Sequence, residues 1–244
     1  MAVDDAIRYA DVSKAYGPLR ALAHVDLVVR EGEFFGIIGE NGAGKTTLIK
    51  CLLDFCEIDH GQIEIFGVPS ELVRARSVLA YLPERFSPPF YLTGADFLRY
   101  MAHLHGHGHD EARVRATVAR LELDATALAR PARGYSKGMA QKLALAACLL
   151  SEKKLYVLDE PASGLDPRAR ALLKAELRRL HAGGNTLFLA SHALADVEAL
   201  CDRMAVIHRG TLLFIGTPAE LTRHYGAPDL EQAFLACTGE PAPA

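Results

Sequence analysis

Tryptophan is absent from the chain, which removes one common anchor for stacking and for partner surfaces. Cysteine is scarce: five residues, at positions 51, 56, 148, 201 and 237, with no Cys-x-x-Cys pair. An odd, scattered set excludes a disulfide framework and a cysteine zinc ribbon, and reduced cytosolic thiols are expected. An excess of basic charge is also missing. Lys and Arg total 27 against 30 Asp and Glu, a net charge of −3, so composition does not mark a nucleic-acid binder. The longest apolar run, Leu143 to Leu150, falls far short of the ~20 residues that a helical bilayer span needs. The start, MAVDDAIRYADVSKAYG, has no basic segment followed by an apolar one, so no signal peptide is expected.

What is present is ordinary globular material: 244 residues, 50% apolar and 23% charged, enough to bury a core without disulfides. Apolar runs predict strands at 21–29 and 34–38, then a helix over 46–54, then strands at 62–66 and 78–82. From Glu84 to about Leu150 the period becomes helical, with Val114, Val118 and Leu121 on one face. Strand-like runs return at 155–158, 187–190 and 204–208, and Leu173, Leu177 and Leu180 share a helix face between them. Arg209-Gly210 followed by 211–215 reads as a closing hairpin. The expected organisation is one domain: an α/β core from 1–84 and 151–222, a helical insertion at 85–150, and a short helix and tail at 223–244. Strands alternating with helices imply a mostly parallel sheet, with ligand beyond the carboxyl ends of its strands.

Gly39-Glu-Asn41-Gly42-Ala43-Gly44-Lys45-Thr46 matches G-x-x-x-x-G-K-[ST] in full, between a buried strand and an amphipathic helix. Glycines let backbone N–H groups curl around an anion, and the helix N-terminus adds its positive end. The loop and Thr47 after it are therefore expected to bind nucleotide phosphates. Lys45 would reach the β- and γ-phosphates, and the Thr46 hydroxyl would bind Mg²⁺. A second apolar strand delivers two carboxylates, Asp159 and Glu160, at its carboxyl end. Asp159 would hold Mg²⁺, and Glu160 would orient and deprotonate the attacking water.

Further residues in the same order resemble the ATP-binding subunit of an ABC transporter. Gly134-Tyr-Ser136-Lys-Gly138-Met-Ala-Gln141 is similar to the signature motif, Ser163-Gly-Leu-Asp166 to the D-loop, and Ser191-His192 to the switch histidine. Tyr16-Gly17 resembles the A-loop that stacks on adenine, and Glu84 occupies the Q-loop position. The resemblance implies a P-loop NTPase, RecA-like α/β core with a mostly parallel sheet, a small antiparallel β subdomain and an inserted α-helical subdomain. It implies ATP and Mg²⁺ as cofactors and a head-to-tail dimer, with an identical chain or a paralogous second cassette. Each site would use Tyr16, Lys45, Thr46, Asp159, Glu160 and His192 of one chain, with Ser136 and Gly138 of the other. A separate transmembrane permease and a peripheral place on the cytoplasmic face of the membrane follow from the same resemblance. The other reading, a soluble ABC-type ATPase acting on DNA or ribosomes, normally brings two cassettes or a long coiled-coil insert. A single short insertion weighs against it, and no nucleic-acid partner is expected.

Two departures from the family pattern stand out. The signature reads YSKGM rather than LSGGQ, keeping Ser136 and Gly138 and adding the charge of Lys137; this variant resembles ABC-2-type exporter cassettes. Glu84 replaces the usual Gln, keeping an oxygen ligand for Mg²⁺ while losing the amide donor. The alternating histidines from His103 to His109 read as a solvated loop rather than a metal site. Phe86, Pro88, Pro89, Phe90 and Tyr91 form an aromatic–proline patch that reads as a partner-docking surface.

Overall fold

A computed structural model describes residues 4–106, 108 and 110–239 of the chain. His107, His109 and the last five residues lie outside these, and part of the histidine-run and tail expectations lies there with them. The chain enters as a hairpin, β1 (Asp5–Tyr16) and β2 (Leu19–Arg30), and passes through β3 (Phe34–Ile38) into helix α1 (Lys45–Leu52). It continues through β4 (His60–Ile65), β5 (Val68–Pro69), the single turn α2 (Val73–Arg76) and β6 (Leu79–Leu82). Three helices follow without an intervening strand: α3 (Gly94–Leu104), α4 (Glu111–Arg120) and α5 (Lys137–Leu150). The core then resumes with β7 (Leu155–Asp159), α6 (Pro167–Ala182), β8 (Thr186–Ser191), α7 (Leu194–Leu200), β9 (Arg203–His208) and β10 (Thr211–Gly216). Helices α8 (Pro218–Tyr225) and α9 (Leu230–Thr238) close the described chain.

Two sheets result. One is antiparallel, in the order β2-β1-β4-β5; the other runs β10-β9-β3-β8-β7-β6 and is parallel except for β10. The three central strands β3, β8 and β7 are buried along their whole length, which is why they read as unbroken apolar runs rather than as alternation. Successive side chains still point to opposite faces. On β3, Phe34 and Ile38 join the core beneath α5, α6 and α7, while Phe35 and Ile37 join the core shared with α1 and the antiparallel sheet. The carboxyl ends of the parallel strands β3 and β7 emerge at the same edge of the sheet, with β8 between them.

β1 has no counterpart among the strands expected from the sequence. Its register against β2 shifts between Tyr9 and Val12, and Asp11 sits in the left-handed region at φ 51°. Those bulges break the two-residue period that would have marked a strand. The aromatic–proline patch divides. Phe86 packs on Phe97 at 5.4 Å against the helical core, whereas Phe90 and Tyr91 are 70% and 71% exposed and meet edge to face.

Candidate nucleotide site

The loop after β3 is built on positions where a side chain cannot fit. A Cβ on Gly39 would stand 2.3 Å from the Ile207 carbonyl oxygen. Gly44 has φ 117°, and a Cβ there would stand 2.7 Å from the Ala21 carbonyl. The chain thus turns tightly and starts α1 at Lys45, with the free N–H groups of the first turn directed back into the loop. The Lys45 ammonium curls inside it, donating to the carbonyls of Gly39 (2.6 Å) and Glu40 (3.1 Å).

Beside it, β7 delivers Asp159 and Glu160, only 1% and 8% exposed. Glu160 turns into the left-handed region at φ 48°. That turn aims its carboxylate between two side-chain nitrogens: Oε1 lies 3.6 Å from Lys45 Nζ, and Oε2 lies 2.8 Å from His192 Nδ1. Burial pushes the Asp159 carboxyl up to about 6, with further upward contributions from Glu160 and Glu84, while a hydrogen bond from Thr46 and the Lys45 charge pull the other way. Among the described residues, the buried side-chain oxygens without a hydrogen-bond partner are Asp159 Oδ1 and Glu160 Oε1. Orphaned buried oxygens of this kind need an explanation. The Asp159 carboxylate beside the Thr46 hydroxyl offers hard oxygen donors of the kind Mg²⁺ takes.

A cavity of about 870 Å³ opens over this floor. Of the residues expected at the site, Tyr16, Asn41, Gly42, Gly44, Lys45, Thr46, Thr47, Glu84, Glu160 and His192 line it. Asp159 lies beneath, reached through Thr46. Gly39 and Ala43 form the back of the loop instead. Gly39 gives its carbonyl to Lys45, and Ala43 is buried in the core with its N–H donated to Glu40. The Tyr16 ring is 45% exposed on the cavity wall, with Lys14 Nζ 5.5 Å from its centroid. The Tyr16 hydroxyl is pushed up to about 12, chiefly by neighbouring Cys56 and by burial, with Thr47 pulling the other way.

Ser136 and Gly138 are not at this cavity. They line a separate groove with Glu122, Lys142 and Asp166. Ser136 caps α5, its hydroxyl accepting from the Met139 N–H at 3.2 Å, so an exposed helix N-terminus points outward from the surface there. Gln141 ties the same helix to the strand end by donating to the Pro161 carbonyl. Sequence reasoning missed Arg20 and Arg209 at the cavity. Each sits at or beside a tight turn, and only the folded path brings those turns to the phosphate loop.

The fold and this cradle define a P-loop nucleotide-binding domain. The protein-family model for the ABC transporter matches residues 22–163, and the chain belongs to that family. An uncharacterized ABC transporter ATP-binding protein of Synechocystis sp. is 39% identical over 207 residues, which cover 83% of this chain and 58% of that protein. The daunorubicin resistance ATP-binding protein DrrA3 of Streptomyces coeruleorubidus is 36% identical over 232 residues, covering 93% of this chain and 73% of that one. The chain thus spans 58% to 73% of the length of these curated relatives. The solved structure of an ATP-binding subunit of an ABC transporter superposes with a TM-score of 0.83 at 31% identity, covering 95% of this chain and 99% of that chain.

Proposed function

We propose that the chain binds and hydrolyses ATP to power export through a separate membrane permease, working as a head-to-tail pair on the cytoplasmic face of the membrane. The observation that carries the hydrolytic part is the position of Glu160, held between Lys45 and His192 at the mouth of the phosphate loop. The relationship to a drug-resistance ATP-binding protein and the YSKGM signature support export. Among the described residues no helix is long and apolar enough to cross a membrane.

In this reading the Tyr16 ring stacks on adenine, and the loop N–H groups with Lys45 hold the β- and γ-phosphates. Thr46 and Asp159, with Glu84 beside them, would hold Mg²⁺, which supplies charge neutralisation across the phosphates. Glu160 accepts a proton from the attacking water, and His192 keeps that carboxylate aimed. Ser136 and the Gly138 N–H of the opposing chain donate to the γ-phosphate, so ATP joins two surfaces that part after hydrolysis.

Glu160→Gln tests this. Hydrolysis is expected to fall at least ~100-fold. In size-exclusion chromatography with light scattering, the variant is expected to be a dimer with Mg-ATP and a monomer without it. A variant that stays monomeric and still hydrolyses ATP removes both the base and the sandwich.

A further inference from the structure

Cys51 and Cys56 stand apart from the other cysteines. Their sulfurs lie 3.5 Å apart, while Cys148 and Cys201 are buried singly in the core. The approach is produced by the way α1 ends. Asp54 takes φ 58°, and the Phe55 N–H reaches back to the Lys50 carbonyl, so the chain doubles over the last helical turn and lays Cys56 on Cys51. Both thiols line a surface cavity of about 350 Å³ together with Asp54, Glu57 and Ser70, which gives a small reagent access. The pair also touches the nucleotide site. Cys56 stands close enough to the Tyr16 hydroxyl to push it up to about 12, and Asp59 ties the same segment to the end of β1 through Lys14 Nζ (2.8 Å) and the Ala15 N–H (2.6 Å).

We propose that Cys51 and Cys56 are a modification site, a dithiol that a peroxide converts reversibly to an intramolecular disulfide and thereby weakens nucleotide binding at Tyr16. Burial and its neighbour push the Cys51 thiol up to about 12, so Cys56, the more accessible sulfur, attacks first. Its thiolate forms an S–O bond as the peroxide O–O bond breaks, and the departing hydroxide takes up the proton the thiol released, giving a sulfenic acid and water. Cys51 sulfur then attacks Cys56 sulfur; its proton leaves with the displaced hydroxide as a second water. Two electrons pass from the thiols to the peroxide, and a dithiol reductant reverses the exchange. Closing the bond draws Cys56 away from Tyr16 and loosens the stacking wall.

The effect on affinity rests on the nucleotide reading above, so the test separates the two. The full chain is treated with hydrogen peroxide, alkylated and digested with trypsin; residues 51–74 contain both cysteines and no other. That peptide is expected to lose the mass of two hydrogens, to resist alkylation, and to recover both thiols with dithiothreitol. Affinity for fluorescent mant-ATP is expected to drop about three- to tenfold on oxidation and to return on reduction. Cys56→Ser is expected to be insensitive to peroxide in the same assay. Both thiols remaining alkylatable after Cys237 has been oxidised overturns the proposal, and so does a disulfide that leaves mant-ATP affinity unchanged. Failure of the reduced protein to bind mant-ATP instead overturns the nucleotide reading and the coupling to it, while the peptide mass still decides whether the disulfide forms.

Discussion

Asp159 is a carboxylate placed where folding alone would not place one. It is 1% exposed, beside Glu160 and within the influence of Glu84, and its carboxyl is raised from 3.8 to about 6. A raised carboxyl means that between those two pH values the folded chain binds more protons than the unfolded one. Stability therefore falls as pH rises through that window, and the loss is complete above about pH 6. Asp159→Asn removes the charge and keeps the shape. At pH 8, without nucleotide or divalent cation, it is expected to stabilise the protein by about 2 kcal/mol, or roughly 6 °C in Tm. The gain should vanish near pH 4 while ATP hydrolysis is lost at every pH. Thermal scans from pH 4 to 8 check it, and a gain independent of pH would show that the carboxylate's charge is not the cause. The residues of this site were legible in the sequence where chemistry is concentrated in a short run: the loop from Gly39 to Thr46, and Asp159-Glu160 after an apolar strand. Arg20 and Arg209 were not, because a single basic residue at a turn has no local pattern that separates a cavity-lining side chain from a solvated one.

Fully buried strands were legible as unbroken apolar runs. β3, β7 and β8 stood out because covered faces demand continuous apolar residues. β1, half-buried and bulged, did not stand out, although it carries Tyr16 to the cavity. Gly36 shows what a single interior glycine on a buried strand means. A Cβ there would stand 2.8 Å from Val197 Cγ1 and 2.9 Å from Cys201 Sγ, so α7 packs on bare β3 backbone. Gly36→Ala is therefore expected to push α7 off the sheet and to cost about 1–3 kcal/mol, read as a lower urea midpoint at unchanged slope. Because α7 begins just after His192, the same variant is expected to lower ATP turnover more than ATP affinity. An unchanged urea midpoint would mean that the helix has room the structure does not show.

At the scale of the whole molecule, the proposed head-to-tail pairing requires one chain to carry two unlike half-sites. The cavity around Lys45 and the capped end of α5 at Ser136 line separate surfaces. The sequence motifs named both halves, but their separation is a property of the folded path and was visible only through the family resemblance. If two chains complete each other head to tail, lesions in the two halves must complement in a defined way. Lys45→Ala and Ser136→Ala are each expected to be inactive as homodimers, since every composite site carries one lesion. In a mixed dimer, one composite site takes both lesions and the other takes none. Mixing the two inactive proteins in equal amounts should therefore restore up to roughly a quarter of wild-type ATPase, from half the dimers with one intact site each. Mixing either variant with itself at the same total concentration should restore nothing. If the mixture stays dead while nucleotide-dependent mixed dimers are present, Ser136 does not serve a site across the interface. If Ser136→Ala alone remains fully active, the α5 N-terminus has no part in hydrolysis, and the head-to-tail pairing loses its chemical reason.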